Sequence, residues 1–473
     1  MVHFITKDKF GNIFKVFNEP EASVVKRNFA IMLVIMEKSI FSFLAVSLLV
    51  QLAPHYCSSD CYKYVAAGVC ASLGLWYGYR FLIRPLDIQR KLTDVGYEQH
   101  FTQKQWVSKD KLHLIRSMMR LRKKGTLPPV YPNGWFALLD SDQVIVNQVK
   151  YVTALGEHFA VFRTSNGDVN ILNAYCPHLG ANMAIGGIVK GNCLKCPFHG
   201  WTFDGTSGKC VQIPNDCSNG VSSRAASVRR WECCEANGFV FVWYHAENEA
   251  PSWRPARDVE AVGRGWTYRG RSEHYVNAHI QDIPENGADV AHLPALHGHM
   301  ALGGQYAAQA DRSLWRWLGV HEWTAAWRAD GTRGRHVSTL DLQHGLVVFG
   351  KFVVFKMNVE AQQIGPGLVI LNFKTSFGPI KMVQVVTPVE PLIQKVVHRI
   401  YCPVYLSLYA SIVLFMEAAM FERDVVIWNH KSYIEKPLAS KQESTLLAHR
   451  KWYKQFYSAN SKQFSNRKET MDW

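Results

Sequence analysis

Two short loops, each bearing one cysteine and one histidine, constrain this chain more than any other feature. The first reads Cys176-Pro177-His178; after seventeen residues the second reads Cys196-Pro197-Phe198-His199-Gly200-Trp201. Nearby Gly180, Gly186, Gly187, Gly191 and Gly200 supply the tight turns that bring such loops together. Four ligands of this kind either close tetrahedrally on zinc or hold a Rieske [2Fe–2S] centre, with Cys176 and Cys196 on one iron and His178 and His199 on the other. Zinc modules usually open with a cysteine pair and close with a histidine pair. Here each loop gives one of each, so the spacing favours the cluster. Cys193 offers a rival C-x2-C-x2-H with Cys196; it is read as a buried or half-buried thiol, since only Cys196 stands in the Cys-Pro-x-His setting.

The surroundings fit a small antiparallel β domain over 131–247. Val144–Val152, Phe159–Arg163, Val169–Asn173 and Phe239–Tyr244 alternate or run apolar between turn signals.

A second constellation runs from Asp282 to His299. Glu285, Asp289 and His292 share one face of a predicted helix, and Pro294 is expected to kink or end it, so that His292 and His297 converge on one ion. Two histidines and a carboxylate on one face form a mononuclear non-haem Fe(II) site with positions open for O2. The carboxylate is sought downstream, after an apolar helix expected at Tyr405–Met416: Asp424 is the first choice and Glu422 the alternative. Asp282 and Glu285 also read as a capping box, which gives Glu285 a capping role. Asp289, one turn before His292, suits an acceptor for a metal-bound imidazole. His299 is read as a neighbour of the site. Leu346–Val354 and Leu368–Phe373 are expected strands and candidate pocket walls.

Charge excludes one partner and suggests another. Lys plus Arg number 53 and Asp plus Glu 38, a net +15. The surplus is uneven: residues 84–124 carry a net +7 and 441–473 a net +4, while 125–440 carry only +1. A nucleic-acid reader keeps its basic groups on the folded domain, so no nucleic acid is expected. Two apolar stretches, 29–53 and 64–83, precede the most basic flank and read as one or two membrane helices. Lys and Arg flank the pair on both outer sides, whereas the connecting loop has only Lys63, so both ends are expected in the cytosol. Cys57 and Cys61 in that loop are placed to pair in an oxidising lumen; the remaining cysteines are expected reduced. The full division is a cytosolic segment (1–28), membrane segments (29–83), a basic juxtamembrane linker (84–130), the Rieske domain (131–247), a mononuclear-iron catalytic domain (248–440) and a basic tail (441–473).

Taken together, the motifs resemble the Rieske non-haem iron oxygenases, and more closely the Neverland-type cholesterol 7-desaturases. The resemblance covers about 125–440 and rests on Tyr131–Trp135, Cys176-Pro-His-Leu-Gly-Ala-Asn182, Cys196–Trp201, Val242-Trp243-Tyr244-His245 and the run His279–His297. Respiratory Rieske proteins carry an extra cysteine pair where Ala181 and Phe198 stand here, so the oxygenase type matches better. The resemblance implies an α+β protein with a small antiparallel Rieske domain and a helix-grip-like catalytic sheet behind N-terminal membrane segments. It implies that His292, His297 and Asp424 bind the catalytic iron, and that Asp289 bridges to a Rieske histidine of a neighbouring subunit in a homotrimer. The implied reaction is O2-dependent desaturation of cholesterol to 7-dehydrocholesterol at the endoplasmic reticulum membrane, feeding steroid hormone synthesis. The chain has no G-x-G-x-x-G loop and no plant-type ferredoxin spacing, so a separate NAD(P)H-driven reductase is expected. A sterol hydroxylase, a tethered Rieske electron carrier and a zinc-stabilised binding module are the competing readings.

Overall fold

The computed structural model describes residues 84–97, 111–214, 226–259, 265–438, 440 and 443–464, with most of 67–79. The expected membrane stretch 29–53 and the Cys57/Cys61 pair lie outside the described residues, as does much of 64–83. Chain order begins with β1 (Leu86–Arg90) and α1 (Lys111–Leu121). Three small antiparallel sheets follow. Strands β2 (Gly134–Asp140), β3 (Val149–Ala154), β4 (Glu157–Arg163), β5 (Val169–Asn173), β6 (Ile188–Lys190), β7 (Cys193–Lys195), β8 (Thr202–Asp204), β9 (Cys210–Gln212), β10 (Arg230–Trp231), β11 (Cys233–Ala236) and β12 (Phe239–Tyr244) form the orders β10-β5-β4-β3, β11-β12-β2 and β6-β7-β8-β9. Alternation puts Phe159, Val161 and Ile171 inward against Trp231, while Leu194, Phe203 and Met183 form a second small core beneath the ligand loops.

The larger part is a single sheet with helices on it. It comprises β13 (Trp266–Val276), α2 (Asp282–Glu285), α3 (His292–His297), α4 (Ala307–Arg312), α5 (Trp315–Leu318), β14 (Gly319–Ala329), β15 (Val337–Val348), β16 (Phe352–Ile364), β17 (Leu368–Thr375), β18 (Gly378–Glu390), β19 (Ile393–Pro403), α6 (Ser407–Trp428) and α7 (Ser444–Tyr453). The order is β1-β13-β19-β18-β17-β16-β15-β14, antiparallel throughout except that β1 runs parallel to β13. Helix α6 lies across β13 and β19, burying Ala410 and Leu414 against Met382, Ile400 and Cys402. The two parts share core: Phe136, Leu138, Val240 and Val242 pack with Val276, Val425 and Trp428.

One local expectation changes, and three features are added to the rest. Leu346–Val354 is not one strand but a hairpin, turning at Phe349 and Gly350, both at positive φ. The linker contributes an edge strand, because β1 pairs with β13 from Leu86↔Gly270 to Arg90↔His274. The tail is folded over 443–464, where α7 packs on β14 and α2. Among the described residues one helix, Val404–Trp428, is long and apolar enough to cross a membrane. It carries the buried charges Glu422, Arg423 and Asp424, which marks it as a helix of this fold's core.

Candidate metal centres

The two Rieske-type loops are copies of one turn. In each, a Cys-Pro-x-x-Gly segment closes when the glycine N–H donates to the cysteine carbonyl, Gly180 to Cys176 at 2.9 Å and Gly200 to Cys196 at 3.2 Å. Each cysteine N–H donates to the residue after that glycine, Cys176 to Ala181 and Cys196 to Trp201. Both glycines have φ near the left-handed region, 74° and 73°, which side chains resist. Hairpins β6–β7 and β7–β8 carry the second loop, and β5 leads into the first. The cysteines end up buried and the histidines exposed. The imidazole rings of His178 and His199 stand 4.7 Å apart, edge to face, and His178 lies flat on Trp201. Burial, against a lowering backbone hydrogen bond at His178 and with help from the neighbouring Cys196, pushes the Cys176 thiol up to about 11. Two buried thiols with two exposed imidazoles beside them offer the donor types that a Rieske centre takes. Cys193 lies across from Asp204 in the β7–β8 register, and the cleft at the loops is lined by Cys196 instead.

His292, His297 and Asp424 form the second group, with one ligand atom from each lying within 4.8 Å of the others. Nε2 of His297 is 3.2 Å from Oδ1 of Asp424, and the two imidazoles meet edge to face at 5.2 Å. The local backbone differs from expectation. Instead of one long helix there are two short ones, and Pro294 sits in the first turn of α3 without ending it, where its missing N–H has no helical partner to lose. His292 Nδ1 donates to the main-chain carbonyl of Asp289, which leaves Nε2 for a metal. Asp289 therefore meets this imidazole through its backbone, and its half-buried carboxylate remains available to another partner.

Glu285 does not cap α2. It is buried and accepts two bonds from Arg450 of α7, at 2.7 and 2.8 Å, while Lys431 pairs with Asp282 at 2.9 Å. The Asp282 carboxylate accepts the His279 N–H. Glu422, the alternative third ligand, is engaged elsewhere: it pairs with Arg90 at 2.7 Å and accepts from Gln305. Burial would raise its carboxyl, but the His274 and Arg90 contacts prevail and hold it down at about 2.

Two residues that spacing alone did not single out complete the site. Asn286 Nδ2 donates to Asp424 Oδ1 at 2.9 Å and fixes the carboxylate. Arg423, fully buried, donates to the carbonyls of Leu296, His299, Met300 and Gly304, capping the end of α3 from α6. Burial lowers its guanidinium to about 10, opposed by Asp424. Behind Asp424, α6 also presents Glu417, 3.4 Å from His398. His299 approaches as a neighbour, bridging to Val320 at the start of β14.

This fold and these donor groups define a Rieske-type non-haem iron oxygenase. Residues 134–225 match the Rieske [2Fe-2S] domain family and residues 242–457 the 3-ketosteroid 9alpha-hydroxylase C-terminal domain family. The oxygenase–ferredoxin complex of carbazole 1,9a-dioxygenase shares the fold, with a TM-score of 0.51 at 13% identity over 73% of this chain and 92% of that one. Relatives named cholesterol 7-desaturase are 44% identical in Xenopus laevis, over 85% of this chain and 87% of that protein, and 41% in Hemicentrotus pulcherrimus, over 85% and 84%. The chain belongs to the cholesterol 7-desaturase family. It is an oxidoreductase whose cofactors are a Rieske [2Fe–2S] cluster and mononuclear iron.

Proposed function

We propose that this enzyme desaturates cholesterol between C7 and C8, giving 7-dehydrocholesterol, with two electrons from NAD(P)H delivered by a separate reductase and O2 leaving as water. The observation that carries the reading is a His292–His297–Asp424 group, with His297 and Asp424 buried and His292 half-buried, on the same chain as a Rieske donor set, within a family of that name. Cys176, Cys196, His178 and His199 hold the cluster, and His292, His297 and Asp424 hold the mononuclear iron. Once bound there, the cluster would supply single electrons and the iron would supply the O2 chemistry for removing two hydrogens. The side chains do the positioning. The Asp289 carbonyl sets the tautomer of His292, Asn286 orients Asp424, and Arg423 holds the end of α3. The reductase reading draws on the carbazole system, whose oxygenase binds a ferredoxin.

The rest of the proposal concerns assembly and place. The exposed imidazoles, flanked by exposed Leu179 and Phe198, suit a surface covered by a neighbouring subunit. In a homotrimer the Asp289 carboxylate meets a Rieske histidine there. The chain divides functionally at 131–247 and 248–440, and 29–83 anchors it in the endoplasmic reticulum membrane with the catalytic body cytosolic.

The test is an assay of purified full-length protein with a reductase, NADPH, O2 and cholesterol, followed by sterol analysis. The conjugated diene is expected; a hydroxycholesterol without it would support the second reading, a sterol hydroxylase, which the match of 242–457 to a steroid hydroxylase domain favours. Replacing His292 by Ala should abolish turnover and leave the cluster's reduced-state EPR signal intact. Loss of that signal as well would make His292 a structural residue.

A further inference from the structure

The antiparallel order puts the start of β14, the β15–β16 turn, the β17–β18 turn and the junction of β19 with α6 at one end of the large sheet. Hairpin tips and helix starts are where polar residues normally stand. Here they are apolar and exposed: Leu314 at 83%, Trp317 at 75%, Phe349 and Phe352 at 64% each, Tyr405 at 73% and Leu408 at 51%. Exposed apolar side chains are ordinary one at a time, but a row of them along one edge marks an interaction surface. Lys351, at the tip between Phe349 and Phe352, is exposed as well.

What covers this end is indicated by where the chain enters it. Strand β1 begins at Leu86, opposite Gly270 near the start of β13, and Trp266 at that start pairs with Pro403. The first strand therefore enters the sheet at the same end as the exposed row. The apolar run 64–83 stops just before it, and its described residues between Ala67 and Tyr79 are helical and mostly exposed, Trp76 and Tyr79 included. An exposed Arg84 follows, its N–H donating to the Tyr79 carbonyl at 3.1 Å. Aromatic tips beside basic side chains, at the point where an apolar segment leaves the body, have the chemistry of a headgroup–acyl boundary.

We propose that this end of the sheet is a seating rim that rests on a lipid bilayer, with Trp317, Phe352 and Tyr405 in the interface and Lys351 and Arg84 at the anionic headgroups. The rim is also tied to the candidate iron site. The His321 N–H, two residues into β14, donates to the Gly298 carbonyl at 2.8 Å, and the Trp323 indole donates to the His297 carbonyl at 3.3 Å. A ligand of the candidate iron site is thus tied to the strand that starts at the rim. A sterol leaving the bilayer there enters beside the strand that is tied to His297; this part, though not the docking itself, rests on the sterol reading.

The test uses the full chain in phosphatidylcholine–phosphatidylserine vesicles with a photo-crosslinking benzoylphenylalanine placed singly at Trp317, Phe352, Tyr405 or, on the opposite end of the sheet, Arg335. Lipid adducts are expected at the first three and not at Arg335. Equal yields at all four would overturn the proposal, as would rim crosslinks to a second copy or to residues 29–83 in place of lipid. In the same vesicles the double variant Trp317→Ser/Phe352→Ser should raise KM for vesicle-borne cholesterol by at least about fivefold, leaving kcat and the KM for cyclodextrin-delivered cholesterol within about twofold of the parent. An equal rise for both deliveries would refute the entry route. If neither delivery yields product in the parent, the sterol reading has failed, and the crosslinks still decide the rim.

Discussion

Asn286 shows how a site is held by a residue that gives it a hydrogen-bond donor. Its amide hydrogen bond to Asp424 keeps one carboxylate oxygen pointed at His292 and His297. Removing such a support typically costs about 10–100-fold in metal affinity. Asn286→Ala should therefore lower iron occupancy at limiting iron, read as fewer than three irons per chain, while visible absorption of the cluster is unchanged. Unchanged occupancy would mean that α6 fixes Asp424 alone. The grouping of His292 and His297 was legible in the sequence because their spacing and the nearby acid are local. Asn286 and Arg423 were not, since each acts on a partner more than a hundred residues away, and no local period records such a contact. Glu285 was misread for the same reason: Arg450, its partner, belongs to a helix far down the chain.

At the scale of elements, the two Cys-Pro-x-x-Gly turns share a backbone but differ in surroundings. A Cβ at Gly180 would meet open space, whereas at Gly200 it would come within 2.8 Å of Pro214 and 3.1 Å of Lys195. Both positions need positive φ, for which a non-glycine residue pays about 1 kcal/mol. Gly180→Ala should therefore keep the cluster with a modest loss of thermal stability, and Gly200→Ala should lose more. Differential scanning calorimetry with cluster absorbance would separate them; an equal loss would show that φ alone matters. Turn chemistry of this kind is plain in a sequence, and so were β4, β5 and β12, whose apolar runs stand between turn signals. The β15–β16 hairpin was hidden, because its tip is made of Phe349 as well as Gly350 and looks like continuing strand.

At the scale of the whole molecule, the described fold is closed by its two flanking segments. β1 adds an edge strand and lends Arg90 to Glu422, and α7 lends Arg450 to Glu285. Part of the basic surplus in both flanks thus neutralises buried carboxylates around the iron site. Arg450→Met would leave Glu285 buried with only the more distant Lys431 at 3.7 Å. Breaking a buried pair from one side costs about 3–5 kcal/mol, so the urea midpoint of the catalytic part should fall with the Rieske spectrum retained. A variant as stable as the parent would show that Lys431 suffices.

That closure by late residues has a consequence for manufacture. A ribosome releases the chain from its first residue, so the loops at 176–201 and the strands around them emerge long before Arg450. Domains fold as units during synthesis, N-terminal first. The cluster's pocket can therefore be finished while α2 still lacks the helix that clamps it, and assembly should proceed cluster first, iron second. Chains truncated after residue 440 and released from the ribosome should display the EPR signal of the reduced cluster without a third iron. Three irons on such a chain would show that the clamp is dispensable for loading.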